Sequence, residues 1–503
     1  MEVDRIFLEI GESGTQQLKY GAILCLLKVY TPFHILQYTF VGRHNTFYCS
    51  RGGQNLTNKC FENKVSSCTN LTFEENTISS EWNLVCDKNW LSKATMSALM
   101  LGFLLGALLL GNLADRIGRK NNLLMTLVGL LFCNLISAFT SFYSVYLMSR
   151  FMIGFFVSGN VLSIVVLMSE LVGPSYRGSY GLAIMGGFSI GIMLISLLAS
   201  YVTSWRVLTT LVTLLGLPYL LSYWYLVESP RWLLNQNRHD EAEQVLHIIA
   251  AGNGCPGMLD MRLQKTLVKS SPSTSKDSVQ KMLKNKKLCL ITLILCYTWV
   301  VNGASYYGLT LAAGDIGADI YTGTALSGVV EIPAAFLTYF AMEHYGRRQA
   351  LASFMMVSGC SCLVIHLFSS SLLGVLGDID EHSLKITFFT FDVSETSLGL
   401  FGKMCITASF NVAYIFSGEV FATSIRNSSM GLVSGMGRVG AILSPYIVMA
   451  GESMPGLHFL VFGILGISGG VASLWLPETK NKALPDTVAE MIDKNKKIDT
   501  LHL

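Results

Sequence analysis

The sequence predicts an all-α membrane protein with twelve transmembrane helices in two six-helix pseudo-repeats. Three observations carry this. First, 51% of the 503 residues are hydrophobic and only 14% are charged, where a soluble chain has about 25% charged residues. Second, apolar stretches of about 20 residues recur along the chain, each long enough to cross about 30 Å of hydrocarbon as a helix. Third, two of these stretches end in matched acidic–Gly–basic clusters, one per half: Gly111–Lys120 (GNLADRIGRK) and Glu343–Arg348 (EHYGRR).

Residues 1–20 are polar and read as a cytoplasmic N-terminus. No cleavable signal peptide is visible, so the run Gly21–Val41 reads as a retained first span. A polar loop, 42–90, follows it. This loop holds Cys49, Cys60, Cys68 and Cys86 and two glycosylation sequons, at Asn55 and Asn70. Cysteines beside sequons point to an oxidised, disulfide-stapled, extracellular segment. Three pairings are open. Further spans are expected at 92–113, 121–140, 144–168, 179–202 and 207–227, completing an N-terminal bundle over 21–227. The basic segment 228–287 reads as a cytoplasmic linker. Spans at 288–311, 322–342, 350–368, 398–419, 428–450 and 458–476 form a C-terminal bundle over 288–476, and 477–503 is a cytoplasmic tail. Residues 369–397 are long for a helix–helix connection, and nothing in their pattern accounts for it.

Lys and Arg set the orientation. Arg116, Arg119, Lys120, Arg177, the linker, Arg347, Arg348 and Arg426 fall on one side if twelve spans are counted. The positive-inside rule places that side, with both termini, in the cytoplasm. The cysteine loop then lies outside, as its sequons require. Three features recur in each half. Asp115, Arg116, Gly118 and Arg119 match Glu343, His344, Gly346 and Arg347. Glu170 and Arg177 match Glu419 and Arg426 at identical spacing. Glu228-Ser229-Pro230 closes the sixth span much as Glu478-Thr479 closes the twelfth. Parallel repeats of this kind describe a transporter of two rocking bundles. Pairing among Asp115, Arg116, Arg119, Glu170, Arg177, Glu343, Arg347, Glu419 and Arg426, with Gly118 at the turn, would gate the cytoplasmic side.

GNLADRIGRK resembles the loop signature G-x-x-x-D-R-x-G-R-K of the major facilitator superfamily. ESPRWLL (Glu228–Leu234), LPET (Leu476–Thr479), LPDT (Leu484–Thr487) and the cysteine loop are similar to the organic ion transporter family, which handles organic cations, anions and carnitine-type zwitterions. Tyr306–Tyr321 and Thr324–Pro333 look closest to its carnitine-like, zwitterion-preferring branch. The second loop copy departs from the pattern, with Tyr339 in place of a glycine and His344 in place of an arginine. A weaker second gate is implied.

Glu331 lies twelve residues before Glu343, and Arg438 twelve after Arg426, so each sits about 18 Å from a helix end. A charge at that depth costs about 2.5–3.5 kcal/mol on insertion scales and marks a functional candidate. Glu331 and Arg438 read either as a structural ion pair or as cavity groups, and cavity exposure is the favoured reading. The resemblance implies an acid of the cation members at Glu331 and a base of the anion and carnitine members at Arg438, hence a zwitterion. Trp299, Tyr306 and Tyr307 in the seventh span, Tyr38 in the first, Phe155 and Asn160 in the fourth, and Phe410 and Asn411 in the tenth complete the candidate substrate site. Arg150 and Lys403, toward the outer ends of spans four and ten, are expected to snorkel to the outer interface, with attraction of a substrate carboxylate as the alternative.

No P-loop, HExxH zinc motif or nucleophile elbow is present, so no enzyme, cofactor or metal is expected. The expected function is a polyspecific plasma-membrane facilitator of small organic zwitterions and cations, carnitine- or ergothioneine-like, working by alternating access. A co-transported or exchanged ion and the lipid bilayer are the other partners, and no nucleic acid is expected. An organic anion exchanger of the same family, or a non-transporting receptor on the same fold, is the alternative.

Overall fold

The computed structural model describes residues 2–43, 45–51, 54–255, 284–312, 319–369, 395–422, 425–454, 456–480 and 490–491. Among them, ten helices are long and apolar enough to cross a membrane. In chain order they are spans two to six (Cys86–Ile117, Arg119–Phe139, Tyr143–Leu171, Pro174–Tyr201, Trp205–Tyr225) and spans seven to eleven (Lys286–Leu311, Ile320–Tyr345, Arg347–Leu367, Ser397–Val420, Ser429–Gly451).

Spans one and twelve complete the set. Span one is broken into Thr15–Tyr30, Pro32–Ile35 and Gln37–Val41. Pro32 has no N–H to donate to the preceding turn, so the helical ladder is interrupted there. The first of these helices begins at Thr15 rather than at Gly21, because the Gln17 side chain accepts the Gly14 N–H (3.1 Å) and starts the helix before the apolar run. Residues expected to be a plain polar terminus also hold a helix, Glu2–Ile10, with Phe7 and Ile10 buried. Span twelve is the 17-residue helix Leu457–Ser473.

The chain divides into two compact units, Met1–Thr274 and Ser275–Leu503. Each packs its spans by the same scheme. In the first unit, span two packs on four, three on four, one on five and three on six. In the second, eight packs on ten, nine on ten, seven on eleven and nine on twelve. Small residues let these pairs approach closely. A Cβ on Gly154 of span four would lie 1.8 Å from the Leu99 carbonyl of span two, and one on Gly303 of span seven 1.9 Å from the Gly437 carbonyl of span eleven. Buried amides bridge spans: Asn122 donates to Ser163 (2.7 Å) and Asn134 to Thr213 (2.8 Å).

The cysteine loop folds into a three-stranded antiparallel sheet: β1 (Phe47–Arg51), β2 (Gln54–Thr57) and β3 (Asn70–Phe73), in the order β2-β1-β3. Of the three open pairings the fold selects Cys49–Cys68 and Cys60–Cys86. These cysteines with Phe47 and Val85 make a small core of their own. Asn70 is exposed on β3, and the Asn55 side chain lies outside the described residues. The one group of described residues with metal-ligand spacing is Cys49, Cys60 and Cys68, all committed to disulfides. The stretches 256–283, 370–394 and 481–489, which include part of the linker, most of the long connection and LPDT, lie outside the described residues.

Candidate substrate site and helix-end clusters

Two short turns organise the helix ends. Gly118, between spans two and three, has φ 98° and ψ 157°; Gly346, between spans eight and nine, has φ 91° and ψ 171°. Both lie in a backbone region that is essentially glycine-only. Each turn receives a carboxylate from far along the chain. Glu228 accepts the N–H groups of Arg119 (2.9 Å), Lys120 (3.1 Å) and Ser229 (2.9 Å). Glu478 accepts those of Arg347 (2.9 Å), Arg348 (3.1 Å), Thr479 (3.0 Å) and Lys480 (3.0 Å). The first-turn N–H groups of a helix lack internal partners and carry its positive end, so a carboxylate is well placed there. Burial pushes Glu228 above the usual carboxylate range despite these bonds. At Glu478 burial acts in the same direction, but its four N–H donors outweigh it and hold the carboxyl below that range.

An arginine then ties each turn to a third helix. Arg119 pairs with Glu170 (3.1 Å) and Asp115 (2.9 Å) and donates to the Ala114 carbonyl (3.3 Å). Arg347 pairs with Glu419 (3.1 Å) and donates to the Met342 carbonyl (3.3 Å). The Thr479 hydroxyl also donates to Glu419 (2.6 Å). The second cluster therefore keeps its arginine–glutamate pair in spite of the altered loop sequence. Glu343 is exposed and makes no ion pair among the described residues, and Arg116 is exposed. Arg177 is not bound to Glu170. It pairs with Asp4 (2.6 Å), which also pairs with Arg231 (2.5 Å), and its Nε donates to the Ser169 carbonyl (3.0 Å). Burial works to raise the Asp4 carboxyl, but the two guanidinium groups outweigh it and hold it below its ordinary value. The Arg426 side chain lies outside the described residues.

The intramembrane charges of the second unit meet where span eight breaks. Its helix stops at Val329 and restarts at Glu331, because Pro333 cannot donate to the Val329 carbonyl. Glu331 is thereby the first residue of a new helical segment, 6% exposed. It accepts the Tyr306 hydroxyl (2.5 Å) and pairs with the Lys403 ammonium (3.6 Å). Lys403 is 2% exposed. It donates to Thr310 Oγ1 (2.5 Å) and to the Tyr306 carbonyl (3.2 Å), and lies 3.2 Å from the Tyr306 ring centroid. Arg438 donates to the hydroxyl of the next residue, Tyr307 (2.7 Å). Glu331 thus pairs with Lys403, a partner that neither of the two expected readings included.

Aromatic rings run on from this point. Tyr306 stacks on Phe410 (5.6 Å) and meets Tyr307 edge-on (5.1 Å). Phe410 touches Trp299 (5.4 Å) and Tyr414 (5.4 Å), and Trp299 is buried with Nε1 donating to Ser417 (3.0 Å). Asn411 is half-buried beside Phe410. Tyr414 and Lys403 join the cluster without having been placed there from the sequence. For Lys403 the reason is that a lysine toward a span end can either reach the interface or turn inward, and hydropathy does not distinguish these.

In the first unit, Tyr38 is buried with its hydroxyl 3.4 Å from Ser92. Phe155 is half-buried against Phe156 (5.5 Å), and Asn160 is buried with Nδ2 lacking a partner among the described residues. Arg150 does not snorkel: it is 1% exposed and donates to Gln37 Oε1 (3.4 Å) and the His34 carbonyl (3.3 Å). His34 is fully buried, edge-on to Tyr30 (4.6 Å).

Two matched six-helix units, glycine turns capped by distant glutamates, and charges held at broken helices define a membrane transporter of the major facilitator type. Residues 48–489 match the model of the sugar (and other) transporter family. The chain belongs to that family and, within it, to solute carrier family 22. It is 33% identical over 98% of its length to a solute carrier family 22 member 15-like protein of Xenopus laevis, covering 96% of it. It is 31% identical to an organic cation transporter protein of Drosophila melanogaster (97% of this chain, 94% of the relative) and 31% identical to organic anion transporter 3 of Oryctolagus cuniculus (87% and 77%). Among solved structures, the inward-open xylose transporter XylE of E. coli matches with a TM-score of 0.66 at 15% identity, over 95% of this chain and 99% of that one. That likeness concerns the fold alone. The chain is a multi-pass membrane transporter and not an enzyme.

Proposed function

We propose that this transporter moves small organic zwitterions and cations, carnitine- or ergothioneine-like, across the plasma membrane by alternating access, with both termini cytoplasmic. The observation that carries the reading is the pair of neighbouring tyrosines: Tyr306 donates to Glu331 (2.5 Å) and Tyr307 accepts from Arg438 (2.7 Å). A carboxylate of span eight and a guanidinium of span eleven are thereby bonded to consecutive residues of span seven, as suits a ligand with one charge of each sign. Tyr306, Tyr307, Trp299 and Phe410 offer ring faces to an alkylammonium, each worth about 0.5–2 kcal/mol. Asn411 is assigned to the same ligand, and Tyr38, Phe155 and Asn160 are candidate substrate contacts within the first unit. The arginine–glutamate clusters around Gly118 and Gly346 serve as gates, opened and remade in each cycle. Asn55 and Asn70 are the glycosylation sites.

A second reading, an organic anion exchanger, is favoured by the Glu331–Lys403 pair. The Lys403 ammonium beside the acid offsets the negative charge that a lone cation would seek. A relative named for organic cations and one named for organic anions are each 31% identical to this chain. The deciding experiment is an uptake screen in expressing cells with carnitine, ergothioneine, tetraethylammonium and glutarate, with and without sodium. Uptake of the first three supports the proposal. Uptake of glutarate alone supports the exchanger. No uptake by protein present at the cell surface would return the receptor reading.

A further inference from the structure

We infer that Lys403 is a tethered counter-cation that occupies the ammonium position of the substrate site and sets its selectivity against lone cations. The inference rests on the proposed assignment of Glu331 and Tyr306 to substrate. A buried lysine needs a specific place for its charge, and the place Lys403 takes is informative. Its ammonium lies over the face of Tyr306, 3.2 Å from the ring centroid, and 3.6 Å from Glu331. An aromatic face beside a carboxylate is the donor set that receives an organic ammonium group. The Tyr306 hydroxyl donates to that same carboxylate, so ring and acid form one unit. Thr310 and the Tyr306 carbonyl hold the ammonium from behind, at 2.5 and 3.2 Å. Both belong to span seven, Glu331 to span eight and Lys403 to span ten. A charge from a third helix thus fills the ring-and-acid unit that the other two build.

The consequence is a ranking of ligands. A lone cation reaches Glu331 and Tyr306 only by displacing Lys403, and it gains nothing at Arg438 in return. A zwitterion displaces the same lysine but adds a contact at Arg438. An anion leaves Lys403 in place. Selectivity then comes from a repulsive element as much as from an attractive one.

The test measures binding to the purified full-length protein by ligand-induced thermal shift, together with uptake in cells, for tetraethylammonium, carnitine and glutarate. Lys403→Met is expected to tighten tetraethylammonium at least tenfold while glutarate moves less than twofold. Lys403→Arg is expected to keep the wild-type ranking, and Glu331→Gln added to Lys403→Met is expected to cancel the gain. Thr310→Val, which removes one anchor of the ammonium, is expected to tighten tetraethylammonium about threefold and decides the matter if Lys403→Met does not fold. Equal weakening of all three ligands, or no change in their ranking, would overturn the inference and make Lys403 a structural pillar. A wild-type protein that binds none of them beside a Lys403→Met variant that gains tetraethylammonium would keep the inference and sink the transport reading. If neither binds, both fall.

Discussion

Glu228 caps the helix that begins at Arg119, accepting its N–H at 2.9 Å from 109 residues further along the chain. Glu478 does the same for Arg347 across 131 residues. Each unit thus closes its third helix with a carboxylate that follows its sixth. The motif would hold three helix ends together in either unit. Glu478→Gln keeps the shape but removes the charge from four bonds. A hydrogen bond to a charged group contributes about 1.5–3 kcal/mol, so a loss of about 2 kcal/mol is expected, read as a lower unfolding temperature in detergent. Burial offsets the three bonds of Glu228, so Glu228→Gln should cost less; an equal loss at both would contradict this difference between the caps.

The two caps respond oppositely to pH. Glu228 is raised above its ordinary value of 4.5, so the folded protein holds that proton more tightly than the unfolded chain does. Its contribution favours folding below the unfolded value and is lost as pH rises through the folded one. Glu478 is lowered, so its contribution is present above 4.5 and is lost as pH falls through its folded value. On mild acidification Glu228 should therefore protonate first. The amide resonances of Arg119 and Lys120 should shift at a higher pH than those of Arg347 and Arg348; the reverse order would contradict the assignment.

Much of the fold was legible in the residues, and the gaps have physical causes. Long apolar runs revealed the twelve crossings because hydrocarbon imposes length and composition. Averaging over such a run hides a break, so the interruptions at Pro32 and before Pro333 were not seen, although each proline announces the lost donor. Gly118 and Gly346 were recognised as turns, but Glu228 and Glu478 are joined to them only through the fold. The same holds for the candidate site. Glu331 and Arg438 were found by depth, whereas Lys403 was assigned to the interface because depth alone does not say which way a long side chain turns. Its partners on spans seven and eight come together only in three dimensions.

The substrate assignment makes a paired prediction. Glu331→Gln should weaken uptake of carnitine and tetraethylammonium by tenfold or more, about 1.4 kcal/mol, and leave glutarate nearly unchanged. Arg438→Ala should do the converse, impairing carnitine and glutarate and sparing tetraethylammonium. Equal loss for every substrate, with normal surface expression, would make either residue structural. Undiminished carnitine uptake in Arg438→Ala would remove it from the site.

Asp4 offers a test of the N-terminal helix. It bridges Arg177 and Arg231 and is held below its ordinary value. Its contribution to stability is therefore present above the usual aspartate range and lost as pH falls below it. The pairs are partly exposed, so Asp4→Asn should cost only about 1 kcal/mol at neutral pH. The cost should shrink on acidification and in high salt. A cost that ignores both would mean that packing of Phe7 and Ile10, not charge, holds this helix.

The glycine turns separate backbone strain from crowding. At Gly118 an added Cβ meets Glu228 Oε2 at 2.2 Å; at Gly346 it meets Glu478 Oε2 at 2.8 Å. Both positions carry the same unfavourable backbone angles, costing about 1–3 kcal/mol for any other residue. Crowding by the capping carboxylate is added at both and is harsher at the first. Gly118→Ala should therefore destabilise more than Gly346→Ala. Combining each with removal of its capping carboxylate separates the two effects. Glu228→Ala relieves the carboxylate clash and leaves the backbone term with a milder approach to Trp232 at 3.3 Å, so Gly118→Ala should cost less in that background than alone. If the cost of Gly118→Ala is unchanged there, crowding contributes nothing, and the glycine is required by its backbone angles alone.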